Sequence, residues 1–121
     1  MKLYESSEDY LERILMIEKE KGFVRSIDVA NALNFSKPSV SVAMKKLREN
    51  GYLTFDDSDH IHLSPEGRAV AERMLDRHLT LSNFFEKLGV PKEVAVEDAC
   101  KIEHDLSPES YEALKELSKK I

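Results

Sequence analysis

VANALNFSKPSVSVAMKKLRENGYL, residues 29–53, decides how the rest of this chain is read. Ser26 opens a short helix that carries Val29, Ala30 and Leu33 on one face. After Asn34-Phe35, Ser36 offers an N-cap hydroxyl, and Pro38 is tolerated in the first turn of the next helix. Val40, Ala43, Met44 and Leu47 recur at helical spacing and predict its inward stripe, and Asn50-Gly51 stops it. The period then changes. Residues 52–55 and 60–63 alternate around the turn-prone Asp56-Asp57-Ser58-Asp59, which predicts a hairpin.

Outward from this stretch, Ser6 reads as the N-cap of a first helix in which Leu11, Ile14 and Leu15 form the apolar face and Gly22 the close. Beyond the hairpin, Ser64-Pro65-Glu66 starts a long helix towards Leu88, ended by Gly89. Pro91 restarts a helix, and Ser107-Pro108-Glu109 opens the last. Helix, short helix, helix and hairpin in that order make a winged helix-turn-helix. The expected fold is mostly α with a small β-hairpin wing: a winged helix-turn-helix over residues 1–72, then a helical dimerisation domain over residues 73–121. Leu79, Leu81, Phe84, Phe85 and Leu88, together with the final helices, offer apolar surface for pairing.

With 121 residues and 41% hydrophobic content, the chain can build one small domain or two closely joined parts, and a large enzyme with a separate cofactor domain is excluded. There is no run of about 18 apolar residues, and the acidic start lacks the apolar core of a signal peptide, so a cytoplasmic protein away from the membrane is expected. A net charge of −5 argues against nucleic acid, but distribution outweighs the sum. Between Ser36 and Gly51, Lys37, Lys45, Lys46 and Arg48 stand against Glu49 alone. Ser36, Lys37, Pro38, Ser39, Ser41, Val42, Lys45 and Lys46 are therefore the candidates for DNA contact. Lysine and serine suit phosphates, while Pro38 and Val42 suit thymine methyls. The competing reading is a solvated helix face in a protein-interaction module.

EDACKIEHDLS, residues 97–107, contains the only cysteine. On a helix, Ala95, Ala99, Ile102 and Leu106 form an apolar stripe, and Cys100, Glu103 and His104 occupy the neighbouring arc. Thiolate, carboxylate and imidazole together suit a divalent transition ion. Three ligands on one helix cannot close its shell. Asp9 and Glu12, spaced i, i+3 on the first helix, and His78 on the long helix are the further candidates. Each has a plainer reading when taken alone: Asp9 as the acid of a capping box begun by Ser6, Glu12 as a solvated helix acid, His78 bonded to backbone, Cys100 as a small core residue. Cysteine, glutamate and histidine within five positions are poorly explained by packing. Neither an HExxH motif nor a second histidine cluster supports a metallohydrolase, and no enzyme is expected.

SSEDYLERIL, the helix-turn-helix stretch, LSPEGRAVAERMLDRHLTL and EDACKIEHDLS together resemble the diphtheria-toxin-repressor family of metal-dependent transcriptional repressors, in its short, manganese-regulator-like form without an SH3-like domain. That resemblance implies metal ligands at Asp9, Cys100, Glu103 and His104, with Glu12 and His78 as further ligands. It implies Mn(II) or Fe(II) as the ion, a homodimer on a palindromic double-stranded operator, and repression of metal-uptake genes. Asp9 stands where the iron-sensing branch tends to carry methionine, and Cys100 where the manganese branch tends to carry glutamate, so the donor set is a hybrid. Ser82 and Val96 replace the glutamate and histidine of the iron branch's ancillary site. The alternative is a winged-helix regulator without metal input.

Overall fold

The computed structural model describes residues 5–121. The elements in order are α1 (Glu5–Lys21), α2 (Ser26–Leu33), α3 (Lys37–Glu49), β1 (Leu53–Phe55), β2 (Ile61–Leu63), α4 (Pro65–Lys87), α5 (Lys92–Ile102) and α6 (Pro108–Lys120). They divide into two compact units, one ending at Glu72 and the other beginning at Arg73.

The first unit is a winged helix-turn-helix. Leu11, Ile14 and Leu15 of α1, Val29 of α2, Val40, Met44 and Leu47 of α3, Leu53 of β1 and Ile61 of β2 are all buried. The alternation in the hairpin becomes two antiparallel strands in the register Leu53↔Leu63, Thr54↔His62 and Phe55↔Ile61. The Ile61 N–H donates to the Val24 carbonyl at 2.7 Å, which ties the wing to the connection before α2. Ser36 caps α3 as expected, its Oγ accepting from the Ser39 N–H at 3.3 Å.

Two helix starts differ from expectation. Ser6 lies inside α1, which is already helical at Glu5, so it does not cap that helix. Arg25, not Ser26, is the N-cap of α2, and its backbone N–H donates to the Asp28 carboxylate at 2.9 Å. Lys21 donates to the same carboxylate at 2.8 Å, and this bond leads in holding Asp28 below the usual carboxylate range. An acid at N3 satisfies an orphan helix donor as well as a cap hydroxyl would.

Asp56 organises the wing turn. Its carboxylate accepts from the N–H groups of Ser58 and His60 at 2.8 and 3.0 Å, and its second oxygen lies 2.8 Å from His62 Nε2. The His62 bond, then the His60 backbone bond, hold the carboxyl at about 2. At the far end of the wing, Ser64 caps the start of α4: Gly67 N–H donates to Ser64 Oγ at 3.1 Å, while that hydroxyl donates to the Gly51 carbonyl at 2.6 Å. Gly67 is required by contact, because a Cβ there would lie 1.9 Å from the Tyr52 carbonyl oxygen.

In the second unit, Leu81 and Phe84 of α4, Ala95 and Ala99 of α5 and Tyr111 of α6 are buried. The stretch offered as pairing surface is thereby corrected. Leu81 and Phe84 belong to the interior, whereas Leu79 and Leu88 are 50% and 60% exposed. A helix has one inward stripe, and residues 79 and 88 fall off the one that 81 and 84 define.

Candidate metal centre and DNA-facing surface

α5 ends at Ile102, so Glu103 and His104 occupy a turn rather than the helix expected for them. The helical spacing nevertheless persists through Glu103, whose backbone keeps φ −59 and ψ −27 and whose N–H donates to the Ala99 carbonyl at 3.0 Å. Cys100 and Glu103 thus stay on one face. α4 supplies His78 from the opposite wall of the same unit.

These four side chains meet in pairs. His78 Nδ1 lies 3.0 Å from Glu103 Oε2 and 3.7 Å from Cys100 Sγ, and His104 Nε2 lies 3.5 Å from Glu103 Oε1. The Glu103 side chain is 1% exposed and that of His104 2%, while Cys100 reaches the surface. A carboxylate so deeply buried demands a compensating charge or several donors. Each of its oxygens faces an imidazole nitrogen that can also act as a metal ligand. Bonds of about 2.1 Å to one ion, set at roughly right angles, separate donor atoms by about 3 Å. The 3.0 Å between His78 and Glu103 therefore fits a shared transition ion, with Cys100 3.7 Å from His78 and His104 3.5 Å from Glu103, and the oxygen, nitrogen and sulfur donors suit the manganese-to-zinc range.

Asp9 and Glu12 sit one turn apart on α1, Asp9 partly exposed and Glu12 buried at 7% exposure. A burial that deep removes the plain reading of Glu12 as a solvated helix acid. Asp9 is not the acid of a Ser6 capping box, since Ser6 is inside the helix. Ser82 turns back to its own helix, its Oγ donating to the Leu79 carbonyl at 3.3 Å.

Ser36, Lys37, Pro38, Ser39, Ser41, Val42, Lys45 and Lys46 are all exposed. Ser36 and Ser39 are also mutually engaged, with their hydroxyls 2.8 Å apart. Ser41 and Lys45 line a cleft of about 410 Å³ together with Arg25, Ser26, Ile27, Arg48, Phe55 and Asp59. Arg25 and Arg48 were absent from the sequence-derived set of DNA contacts. The i, i+4, i+7 spacing of Ser41, Lys45 and Arg48 was the available signal for Arg48. Its guanidinium rests 5.7 Å from the Phe55 ring centroid, so the wing orients it.

A winged head carrying a basic helix face, followed by a unit with a carboxylate–imidazole–thiol cluster, defines a DNA-binding regulator that responds to a metal. The sequence model described as the iron dependent repressor N-terminal DNA binding domain matches residues 2–61, and that described as the iron dependent repressor metal binding and dimerisation domain matches residues 64–121. The chain belongs to the iron-dependent repressor family. It is 36% identical over 112 residues to the HTH-type transcriptional regulator MntR of Bacillus pumilus, covering 93% of this chain and 78% of that protein. It is 39% identical over 113 residues to an HTH-type transcriptional regulator of Methanocaldococcus jannaschii, covering 92% and 90%. The crystal structure of T. acidophilum IdeR superposes with a TM-score of 0.81 at 27% identity, over 96% of this chain and 54% of that one. The chain thus spans about half the length of that solved relative. Membership makes it a metal-responsive DNA-binding transcriptional repressor, with Mn(II) or Fe(II) as the regulating ion, and not an enzyme.

Proposed function

We propose that the chain works in the cytoplasm as a homodimer on a palindromic operator, repressing metal-uptake genes when Mn(II) or Fe(II) is bound. Residues 1–72 read DNA and residues 73–121 hold metal and pair the subunits. Among the described residues no helix is long and apolar enough to cross a membrane. A two-fold dimer matches a two-fold operator. His78, Cys100, Glu103 and His104 are the ligands from the second unit, and Asp9 and Glu12 are further ligands from α1. The observation that carries this reading is Glu103, buried with each oxygen against an imidazole nitrogen. When bound, the ion supplies positive charge to this carboxylate and fixes its ligands in one arrangement. Ligation raises the fraction of molecules competent for DNA.

The test is metal-stripped protein titrated with Mn(II), Fe(II), Co(II) and Zn(II), and bound to a duplex selected from a randomised pool with each ion in turn. Mn(II) or Fe(II) should tighten DNA binding severalfold or more. DNA affinity indifferent to all four ions would favour the regulator without metal input. Cys100→Glu should shift the response towards Mn(II), because a hard oxygen replaces a soft sulfur.

The basic cleft gives a second expectation. Lys45→Ala and Arg48→Ala should each weaken binding to selected and random duplexes by similar factors and flatten the salt dependence by about one counterion per contact. A loss confined to the selected duplex would assign these residues to base reading instead.

A further inference from the structure

One buried charge takes no part in the centre described so far. Arg77, next to His78 on α4, is 6% exposed, yet its guanidinium meets no carboxylate in the hydrogen bonds and ion pairs of the second unit. Instead Nη1 donates to two backbone carbonyls, Glu103 at 3.0 Å and Leu106 at 2.7 Å. That nitrogen has two hydrogens, one for each carbonyl. The two carbonyls bracket the turn that carries Glu103 and His104, beyond α5, where the helix can no longer supply donors.

The guanidinium is itself held. It lies 4.9 Å from the centroid of the Tyr111 ring. The Tyr111 hydroxyl donates to Asp76 and lies 3.1 Å from Thr80 Oγ1, so α6 is tied to the turn of α4 from which Arg77 projects. Lys115 Nζ adds a second bond to Asp76 at 3.1 Å. α6 starts at the Ser107 cap, directly after Leu106, so both ends of the ligand turn are anchored within one unit.

We propose that Arg77 is a positioning residue of the metal centre, whose Nη1 fixes the Glu103–Leu106 turn so that Glu103 and His104 present their donor atoms to one ion. This rests on the reading of Glu103 and His104 as ligands. Electrostatics alone argues the other way, since a permanent cation beside the centre repels a divalent ion. Its place in the interior is explained by geometry: the planar guanidinium, set 4.9 Å from the Tyr111 ring centroid, aims both hydrogens of Nη1 at the two carbonyls in fixed directions, which an ammonium on a flexible stem does not have. Groups that orient metal ligands through hydrogen bonds commonly govern affinity by about tenfold to a hundredfold.

The experiment is calorimetric titration of Mn(II) into the metal-stripped full chain for wild type, Arg77→Lys and Arg77→Met, with melting curves and amide exchange at residues 103–106 measured before metal is added. Arg77→Lys and Arg77→Met should both weaken Mn(II) about tenfold or more and speed exchange in the turn. Because Lys keeps the charge, a loss shared by both variants identifies geometry as the cause. Mn(II) affinity in Arg77→Lys equal to wild type, or tighter binding in Arg77→Met, overturns the proposal. Should Arg77→Met not melt cooperatively, Arg77→Lys decides. Wild type that takes up neither Mn(II) nor Fe(II) would instead overturn the metal centre itself, a result distinct from equal affinities among variants.

Discussion

Glu103→Gln is expected to lower Mn(II) affinity by more than about a hundredfold, beyond what loss of an orienting group costs, while the metal-free protein remains folded. The substitution keeps shape and removes charge. Glu103 is 1% exposed, and its oxygens face His78 Nδ1 at 3.0 Å and His104 Nε2 at 3.5 Å. Glutamine offers one neutral oxygen and an amide that cannot ligate, so the ion loses its central anionic donor. The metal-free state should stay folded, because glutamine keeps the shape of the side chain and an oxygen that can still accept a hydrogen bond. Differential scanning with and without Mn(II) separates the two effects. Wild type should gain thermal stability with ion concentration through binding linkage, and Glu103→Gln should show almost none of that gain. Equal gains in both proteins would remove Glu103 from the centre.

Gly67→Ala is expected to destabilise the first unit by about 1–3 kcal/mol, reversing the usual benefit of replacing a helical glycine by alanine. The sign is the test. A Cβ at position 67 would stand 1.9 Å from the Tyr52 carbonyl oxygen and 2.9 Å from its carbon, both backbone atoms that cannot rotate away. The same carbonyl accepts from the Ser64 N–H at 3.0 Å, so displacing it also disturbs the cap of α4. Urea denaturation of the full chain would read the change. A midpoint raised by the substitution would mean that α4 can slide away from Tyr52 without cost.

Elements governed by local chemistry were readable from the sequence. Val40, Met44 and Leu47 of the α3 stripe, the Ser36 cap and the turn at residues 56–59 depend on residues within a few positions of one another, and they stand where they were expected, with Ala43 of that stripe only half-buried. That Cys100, Glu103 and His104 share one side of α5 and its end was expected from helical spacing, while the contacts of His78 with Cys100 and Glu103 join residues more than twenty positions apart and come from packing. What escaped depends on partners far along the chain. Arg25 and Arg77 resemble any solvated arginine until the cleft and the Glu103 and Leu106 carbonyls are in place. Leu81 and Phe84 joined an apparent apolar surface because hydrophobic residues crowd that part of α4, and only packing shows which of them turn inward. Ser6 lies within α1 and Ser26 is the first helical residue of α2, placements that local capping preference does not resolve.

The tip of the wing carries Asp56, Asp57 and Asp59, all exposed, and Asp56 stays ionised down to about pH 2. Asp59 lines the same cleft as Arg25, Lys45 and Arg48. Charges of both signs therefore line one cleft. A phosphate strand approaching over the tip is repelled, and one approaching over α3 is drawn in. At physiological salt this sorting begins about 8 Å away, before any hydrogen bond can form. Approach angle is thus selected during diffusion, so neutralising the tip would be felt as more numerous unproductive encounters rather than as a weaker final complex.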